Sequence, residues 1–176
     1  YTYDKLFSEY HHTVAQLLIT GDDTTNDTRR LNFTNTLNRL LELGALPIIN
    51  ENDTVATDEI VIGDNDTLAA IVARSVHADM LILLSDIDGL YTADPHTHPE
   101  ATLLHHVAGI DDHIREIAGI SSSTQGTGGM VTKLHAADIC LGCGCKMVIA
   151  NGNNPGNLYD ILEGKAVGTT FSEERL

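Results

Sequence analysis

Short apolar runs alternate with stretches of helical periodicity along this chain, and this alternation limits the fold more than any other feature. Residues 14–19, 45–49 and 80–84 are rich in Ile, Leu and Val and have the length of buried strands. Between the first two, a helical stripe runs from Phe33 to Leu41 and stops before Gly44. Strands joined through helices pair in parallel. The sequence therefore predicts an α/β fold whose mainly parallel sheet is covered by helices on both faces.

The remaining segments follow the same scheme. Helical spacing or length predicts further helices near residues 3–10, 67–76, 111–117, 130–141 and 157–162. Two more strands are predicted at 146–149 and 167–171, and a short hairpin arm at 59–62. Polar, Gly-rich or Pro-rich composition predicts loops at 20–30, 89–99 and 119–129. Because no repeat or linker divides the chain, we predict one domain over residues 1–176.

Charge and apolar content restrict the class of partner. The chain has 42% hydrophobic residues, and its 10 basic against 25 acidic residues give a formal charge of −15. Such a surface repels nucleic acid and anionic membranes, which favours a small-molecule ligand. The longest apolar run, residues 80–84, is far shorter than the roughly 18 residues that a membrane span needs. We therefore expect no membrane and no nucleic-acid partner.

Three cysteines stand close together at positions 140, 143 and 145. An odd number of crowded thiols makes a poor disulfide framework and indicates a reducing, cytoplasmic location. Together with His135 they could bind a metal ion. A helix that ends at Gly142 or Gly144, with small thiols packed as hydrophobic groups, explains the segment better. We therefore assign no metal ligand.

Polar residues follow the predicted strands, where parallel sheets bind their ligands. Residues 50–53 follow one strand, residues 85–89 follow another, and Asn151 follows a third. Residues 63–66 add two carboxylates around an amide immediately before a helix. Asn65 or Asp66 could cap that helix, or the group could capture an ammonium ion or orient lysines. Calcium binding is a further alternative, although no EF-hand loop is present; its candidate ligands are Asp53, Asp64, Asp66, Asp86 and Asp88.

A glycine-rich segment at residues 126–133 precedes a predicted helix. Its three glycines permit close backbone approach, and free N–H groups at a helix N-terminus bind phosphate. Lys133, about one turn into the helix, could neutralise a phosphoryl group. The spacing is neither that of a P-loop nor that of a dinucleotide fold. A flexible linker capped by Thr127 therefore remains an alternative.

Four motifs, at residues 49–53, 63–66, 85–95 and 126–133, together resemble the glutamate 5-kinases of the amino acid kinase family, in order and approximate spacing. The resemblance covers essentially the whole chain. It implies a three-layer α/β/α sandwich with the carbamate kinase-like fold. It also implies phosphorylation of the side-chain carboxylate of L-glutamate by ATP and Mg²⁺, which gives glutamyl 5-phosphate in the first step of proline biosynthesis.

The resemblance also implies roles for individual residues. Asp53 and Asn65 are expected to bind glutamate, with Asn50 and Asp64 in support. Asp66 is expected to organise catalytic lysines, and Lys133 to stabilise charge on the transferred phosphoryl group. The residues expected to bind the nucleotide are Ser85, Asp86, Thr127, Gly128, Gly129, Met130, Val131, Thr132 and Lys133.

Further expectations concern the extent of the chain. Family members begin with a lysine-bearing strand and a Ser-Gly turn, and many continue into a PUA domain. Residues 1–176 are expected to be a partial kinase domain without these parts. Alone, this polypeptide is expected to be inactive or nearly so. A homo-oligomer is expected, and proline is a possible feedback inhibitor. Two alternatives stay open: another amino acid or carbamate kinase of the family, and a noncatalytic ligand-sensing module.

Overall fold

The structure is a computed structural model that describes residues 2–52, 54, 62–121 and 129–173. It comprises two compact units, Tyr1–Leu68 and Ala69–Leu176. Among the described residues, the first unit holds a sheet of two strands and the second a sheet of four. Within the described ranges, no helix has the length and apolar character needed to cross a membrane.

The first unit is built around two parallel strands. Its elements are, in chain order, α1 (Thr2–Ser8), β1 (Val14–Ile19), α2 (Gly21–Thr25), α3 (Asp27–Glu42), β2 (Leu46–Glu51) and the start of α4 (Asn65–Ser75). β1 pairs with β2 from Val14 opposite Leu46 to Ile19 opposite Glu51. The buried side chains of α3 are Phe33 and Leu37, which lie one turn apart on its apolar stripe.

The loop predicted at 20–30 is helical, and that prediction is wrong. Asn26 separates α2 from α3, and its side-chain oxygen accepts hydrogen bonds from the Thr28 and Arg29 N–H groups at 3.1 Å each. Before α2, the Asp23 carboxylate accepts hydrogen bonds from the Thr20 N–H and hydroxyl groups. The Asp, Asn and Thr residues that suggested a loop thus cap two helices.

The second unit is a four-stranded sheet flanked by helices. Its elements after α4 are β3 (Met80–Ser85), β4 (His106–Val107), α5 (Asp112–Ser121), α6 (Gly129–Leu141), β5 (Lys146–Asn151), α7 (Asn157–Leu162) and β6 (Thr169–Phe171). The strand order is β3-β5-β6-β4. The β3–β5 and β4–β6 pairs are parallel, whereas β5 and β6 are antiparallel.

A continuous apolar core holds the second unit together. The core-facing side of α6 includes Met130, Leu134 and Ala137, and β5 contributes Met147 and Ile149, which have no exposed surface. Strands whose side chains are buried on both faces read as unbroken apolar runs, and β5, whose residues 147–150 are all buried, is such a strand. In β3 only Leu83 is buried and Leu84 is 48% exposed, so its apolar run marks the strand without full burial.

Most predicted elements are present, and the differences lie mainly at their ends. The mainly parallel α/β class is confirmed, although the described strands form two sheets. The two-residue strand β4 was not predicted, since it is too short to show a period. α5 continues to Ser121 into the predicted 119–129 loop. Gly129 begins α6, and residues 122–128 of that loop and most of the predicted arm at 59–62 lie outside the described residues.

Candidate functional site

In the first unit, one carboxylate ties the end of β2 to the residues before α4. Glu51 accepts hydrogen bonds from the Ile62 N–H at 2.8 Å and from the Gly63 N–H at 3.3 Å, one on each oxygen. Gly63 has φ +87°, a left-handed conformation that glycine adopts without strain. The start of α4 therefore lies beside the carboxyl end of β2. The sequence included Glu51 in a polar motif but assigned it no role.

Asp64 caps α4. Its two carboxylate oxygens accept hydrogen bonds from the Thr67 N–H at 2.7 Å and from the Thr67 hydroxyl at 2.8 Å. The sequence-based alternative that Asn65 or Asp66 caps this helix is therefore corrected, since Asp64 does so. Asn65 is exposed and Asp66 is half-buried in the first turn, where a negative charge interacts favourably with the helix dipole.

The structure brings several of the predicted glutamate-binding residues to this end of the first sheet. Asn50 is exposed on β2, next to Glu51, and Asp64 and Asn65 follow the Glu51 tie. Asp53 lies outside the described residues. The roles of these residues in substrate binding stay predictions.

In the second unit, Ser85 and Asp86 follow β3 at the carboxyl end of the sheet. Ser85 is level with Asn151 on the neighbouring strand β5, and its carbonyl oxygen accepts a hydrogen bond from the Gly152 N–H at 2.7 Å. The Ser85 hydroxyl donates to the Asp86 carboxylate at 3.1 Å. Asp86 is exposed. The two residues thus form a polar turn at the edge where nucleotides bind in α/β sheets.

Asp88, two residues further on, joins this turn to β5. One carboxylate oxygen accepts a hydrogen bond from the Asn151 side-chain N–H at 2.8 Å, and the other accepts one from the Tyr91 hydroxyl at 3.0 Å. Burial raises the pKa of Tyr91, and the hydrogen bond to Asp88 and its charge raise it further. From the sequence, Asp88 was a candidate only for calcium binding.

A buried threonine holds the next part of the same loop. The Thr169 hydroxyl, which is fully buried, accepts a hydrogen bond from the Leu90 N–H at 2.8 Å and donates one to the Leu104 carbonyl at 2.6 Å. Beside it, Gly168 has φ +66°, and a Cβ there would overlap the Ile149 carbonyl oxygen. Backbone segments therefore meet at van der Waals distance beneath the loop. No local sequence pattern predicts these contacts, because they join residues far apart in the chain.

The start of α6 has the features of a phosphate site. Among the described residues, no atom other than those of its chain neighbours lies within 4 Å of where a Cβ of Gly129, the first residue of α6, would be. Free N–H groups at such a helix start can bind phosphate. Lys133 lies on the core-facing side one turn later and is 9% exposed. The Thr132 hydroxyl donates to the Gly129 carbonyl at 3.2 Å. Thr127 and Gly128 lie outside the described residues.

The remaining residues expected at the nucleotide site differ in exposure. Met130 is buried at 6% exposure, whereas Val131 is 51% exposed. Met130 therefore belongs to the core, where it positions the first turn of α6. The Met130 side chain is therefore not accessible to a ligand, whereas the Val131 side chain is.

The cysteine cluster forms the end of α6. The Cys145 N–H donates to the Cys140 carbonyl and the Gly144 N–H to the Leu141 carbonyl, the paired bonds of a Schellman motif. Cys140 and Cys145 are buried and Cys143 is exposed, all as free thiols. Burial raises the pKa of Cys140 to about 12, with smaller contributions from Cys145 and Cys143. Across the described ranges, no three His, Cys, Asp or Glu side chains are arranged to hold a metal ion.

A separate groove of about 720 Å³ runs along β4 and the beginning of α5. Its apolar lining includes Leu104, Val107, Ile110, Ile114 and Ile117. None of the described residues predicted to bind the nucleotide lines it. The groove therefore does not contribute to the predicted nucleotide site.

Comparison with known proteins finds close sequence relatives. The sequence model of the amino acid kinase family matches residues 1–151. The glutamate 5-kinase of Thermoanaerobacter sp. (strain X514) is 51% identical over 169 residues, which cover 96% of this chain and 45% of that protein. The glutamate 5-kinase of Clostridium tetani is 48% identical over 172 residues, covering 98% of this chain and 64% of that protein. The chain thus spans 45% to 64% of the length of these relatives.

Solved structures show the same fold at lower identity. The isopentenyl phosphate kinase of T. acidophilum has a TM-score of 0.65 and 21% identity, covering 95% of this chain and 63% of that one. The carbamate kinase of Giardia lamblia bound to AMP-PNP has a TM-score of 0.65 and 17% identity, covering 97% of this chain and 66% of that one. At these identities the likeness establishes the fold class, and the predicted carbamate kinase-like fold is confirmed.

Proposed function

The chain belongs to the amino acid kinase family, and from this we propose that the protein transfers the γ-phosphoryl group of ATP to the side-chain carboxylate of L-glutamate. The product is L-glutamyl 5-phosphate, so the protein would act in the first step of proline biosynthesis, in the cytoplasm. The observation that carries the proposal is the 51% identity to a glutamate 5-kinase over 96% of the chain. We also propose that the protein forms a homo-oligomer and that proline inhibits it, because the family resemblance implies both.

Residues of the first unit bind glutamate in this proposal. Asp53 pairs with the substrate ammonium group and Asn65 hydrogen-bonds the substrate, with Asn50 and Asp64 in support. The Glu51 tie supports this assignment, because it holds the start of α4 against the end of β2. Since Asp64 already accepts two hydrogen bonds from Thr67, it supports the site by fixing the helix start.

Residues of the second unit bind the nucleotide. The first-turn N–H groups of α6 fit a phosphate chain, since no described residue fills the space at the Cβ position of Gly129, and Lys133 adds a cation one turn later. Ser85 and Asp86 offer a hydroxyl and a carboxylate to the rest of the nucleotide. Thr127 and Gly128 complete the glycine-rich motif.

The donor set also suits Mg²⁺, which neutralises phosphate charge when it is bound with ATP. Mg²⁺ at kinase sites is held by substrate phosphates together with one or two carboxylates, so a preformed cluster of three protein ligands is not needed. The exposed carboxylate of Asp86 could serve as one of these Mg²⁺ ligands.

Transfer between two anions depends on positioning and on neutralisation of charge. The acceptor carboxylate is itself the nucleophile, so no protein nucleophile and no general base are required. Lys133 stabilises the negative charge on the phosphoryl group as it moves. Asp66, in the first turn of α4, orients the catalytic lysine side chains, which is the role that the family resemblance implies for it.

The test uses the full-length protein that contains this chain. ADP release and trapping of the acyl phosphate with hydroxylamine should both require glutamate. Replacing Lys133 with Ala should lower kcat by about 10²-fold or more while glutamate binding, measured by calorimetry, is retained. Lys165→Ala, which removes an exposed lysine paired with Asp160, is the control and should leave kcat unchanged. ADP release that is independent of glutamate would contradict the proposal.

A further inference from the structure

Strands β3 and β5 end level with each other. The last register pair of their parallel ladder is Ser85 with Asn151, and one more backbone hydrogen bond follows, from the Gly152 N–H to the Ser85 carbonyl at 2.7 Å. Beyond that bond the two chains enter different loops. The Ser85–Asp86 turn thus begins at a well-anchored residue, and its position then depends on what holds its far end.

The far end is held by a side-chain pair. The Asn151 amide nitrogen donates to the Asp88 carboxylate at 2.8 Å. The Asn151 side-chain oxygen accepts a hydrogen bond from the Asn153 N–H at 2.9 Å. The backbone carbonyl oxygen of Asn151 accepts one from the Asn157 side-chain amide at 3.0 Å. Because the Asn153 N–H can only donate, the Asn151 oxygen must face it and the nitrogen must face Asp88. The amide orientation is therefore set by the loop after β5.

The Asp88 carboxylate has a partner on each oxygen. Asn151 donates to one, and the Tyr91 hydroxyl donates to the other at 3.0 Å. Ser85 and Asp86 lie within the segment that Asp88 closes, and the Ser85 hydroxyl donates to Asp86 at 3.1 Å. Moving Asp88 would therefore move the turn that carries both predicted nucleotide-binding residues.

This link is separate from the contacts that stabilise the fold. Asp88 is exposed, where hydrogen bonds compete with water and add little to stability. The chain after Asp88 is anchored independently of it, since the Leu90 N–H donates to the buried Thr169 hydroxyl. The loop thus stays attached to the sheet without Asp88, and the link affects the geometry of the turn alone.

We propose that Asp88 and Asn151 are positioning residues that hold the Ser85–Asp86 turn in the conformation that binds ATP. The inference rests on the proposed function, and it adds two residues to the nucleotide side of the site. Neither residue needs to touch the nucleotide, because each acts through the turn.

An exchange of the two side chains tests the pair in the full-length protein. Asn151→Asp places a second carboxylate against Asp88 at hydrogen-bonding distance, and Asp88→Asn removes the charge that the amide faces. Each single variant should raise the KM for ATP and the Kd for ADP about tenfold, with the KM for glutamate and the Tm unchanged. In the double variant Asp88→Asn/Asn151→Asp, the amide at position 88 can donate to the carboxylate at position 151. Both nucleotide constants should then return to within about twofold of wild type.

Asn153→Asp is the matched control, since it makes the same charge change at an exposed side chain two residues away. It should leave the nucleotide constants unchanged. The proposal is overturned if Asn151→Asp binds nucleotide as wild type does, if the double variant is no better than the single ones, or if the glutamate KM rises equally. If wild type phosphorylates a different acceptor, the proposed function fails, and ADP titration of the same variants still decides the pair. Wild-type protein that binds no nucleotide overturns both.

Discussion

Two loops that follow strand ends are held in different ways. After β2, the half-buried Glu51 side chain ties the strand end to Ile62 and Gly63 through two hydrogen bonds to their backbone N–H groups. After β3, the exposed Asp88–Asn151 pair holds the turn at residues 85–88, and the fully buried Thr169 and close backbone contact at Gly168 anchor the chain that follows. The first tie is a side chain near water, whereas the second loop combines such a tie with a buried fit.

This difference has consequences for local stability. A side-chain tie near water opens at small cost, whereas a buried polar contact opens only when much of the core opens. Asp64 and Asn65, which are predicted to bind glutamate, follow the Glu51 tie, and Ser85 and Asp86 precede the Thr169 contact. We therefore expect the Glu51 tie to open more readily than the buried contacts after β3.

The strongest test of the buried fit is Gly168→Ala. A Cβ there would overlap the Ile149 carbonyl oxygen and lie 3.0 Å from the Asp88 carbonyl oxygen. We expect a loss of about 3 kcal/mol or more in the free energy of unfolding, measured by urea denaturation. Gly164→Ala is the matched control, because Gly164 also has positive φ (+80°) but no atom lies within 4 Å of the Cβ position. It should cost only about 1 kcal/mol. Equal losses would show that left-handed strain, and not contact, limits both sites.

The next largest effect is expected for Thr169→Val. This change keeps the shape of the side chain but leaves the Leu90 N–H and the Leu104 carbonyl unpaired in the core, at a cost of about 2–3 kcal/mol. Thr169→Ser keeps the hydroxyl and should cost less, and Thr170→Val controls for the same change at the next strand position. Denaturation midpoints provide the measurement. A loss below about 1 kcal/mol in Thr169→Val would contradict a structural role for the hydroxyl.

A smaller and more local effect is expected for Glu51→Ala. It removes both hydrogen bonds to Ile62 and Gly63, so amide exchange at these two positions should accelerate about tenfold, and stability should fall by about 1 kcal/mol. Glu42→Ala, which breaks only an exposed ion pair with Arg39, should change neither. Exchange that accelerates throughout the sheet instead would mean that Glu51 supports the whole unit.

The next prediction concerns the chemical reactivity of the thiols at the end of α6, with no change in stability expected. Cys143 is exposed, whereas Cys140 and Cys145 are buried, so iodoacetamide at pH 8 should label Cys143 alone in the native protein. Peptide mapping by mass spectrometry gives the result, with urea-unfolded protein as the control in which all three react. Labelling of Cys140 before Cys143 would show that the end of α6 opens readily.

The same thiols predict a loss of stability in alkali. Burial raises the pKa of Cys140 from 9.0 to about 12, so the unfolded chain releases this proton at a lower pH than the native one. The contribution of the protonated Cys140 thiol to the free energy of unfolding is therefore complete below pH 9 and is lost as the pH rises toward 12. Cys140→Ala should remove this part of the pH dependence of the unfolding free energy, and an unchanged profile would contradict it.

The elements and motifs that were predicted well have local signals. Apolar runs of strand length predicted β1 and β3 with nearly correct ends, because such a run is complete within a few residues. The short helix predicted at 157–162 matches α7. The 20–30 segment was mispredicted because Asn26 and Asp23 are equally common in turns and in helix caps. Local composition does not distinguish these roles.

The sequence by itself determined the α/β class and the family, since strand and helix periods and four linked motifs lie along the chain in order. Only the tertiary structure decided that Asp64 caps α4, that Glu51 closes the loop after β2, and that Asp88 meets Asn151. Asp88 and Asn151 are 63 positions apart, and Leu90 and Thr169 are 79 apart. Partners at such separations are brought together by the packing of whole strands, which leaves no local pattern in the sequence.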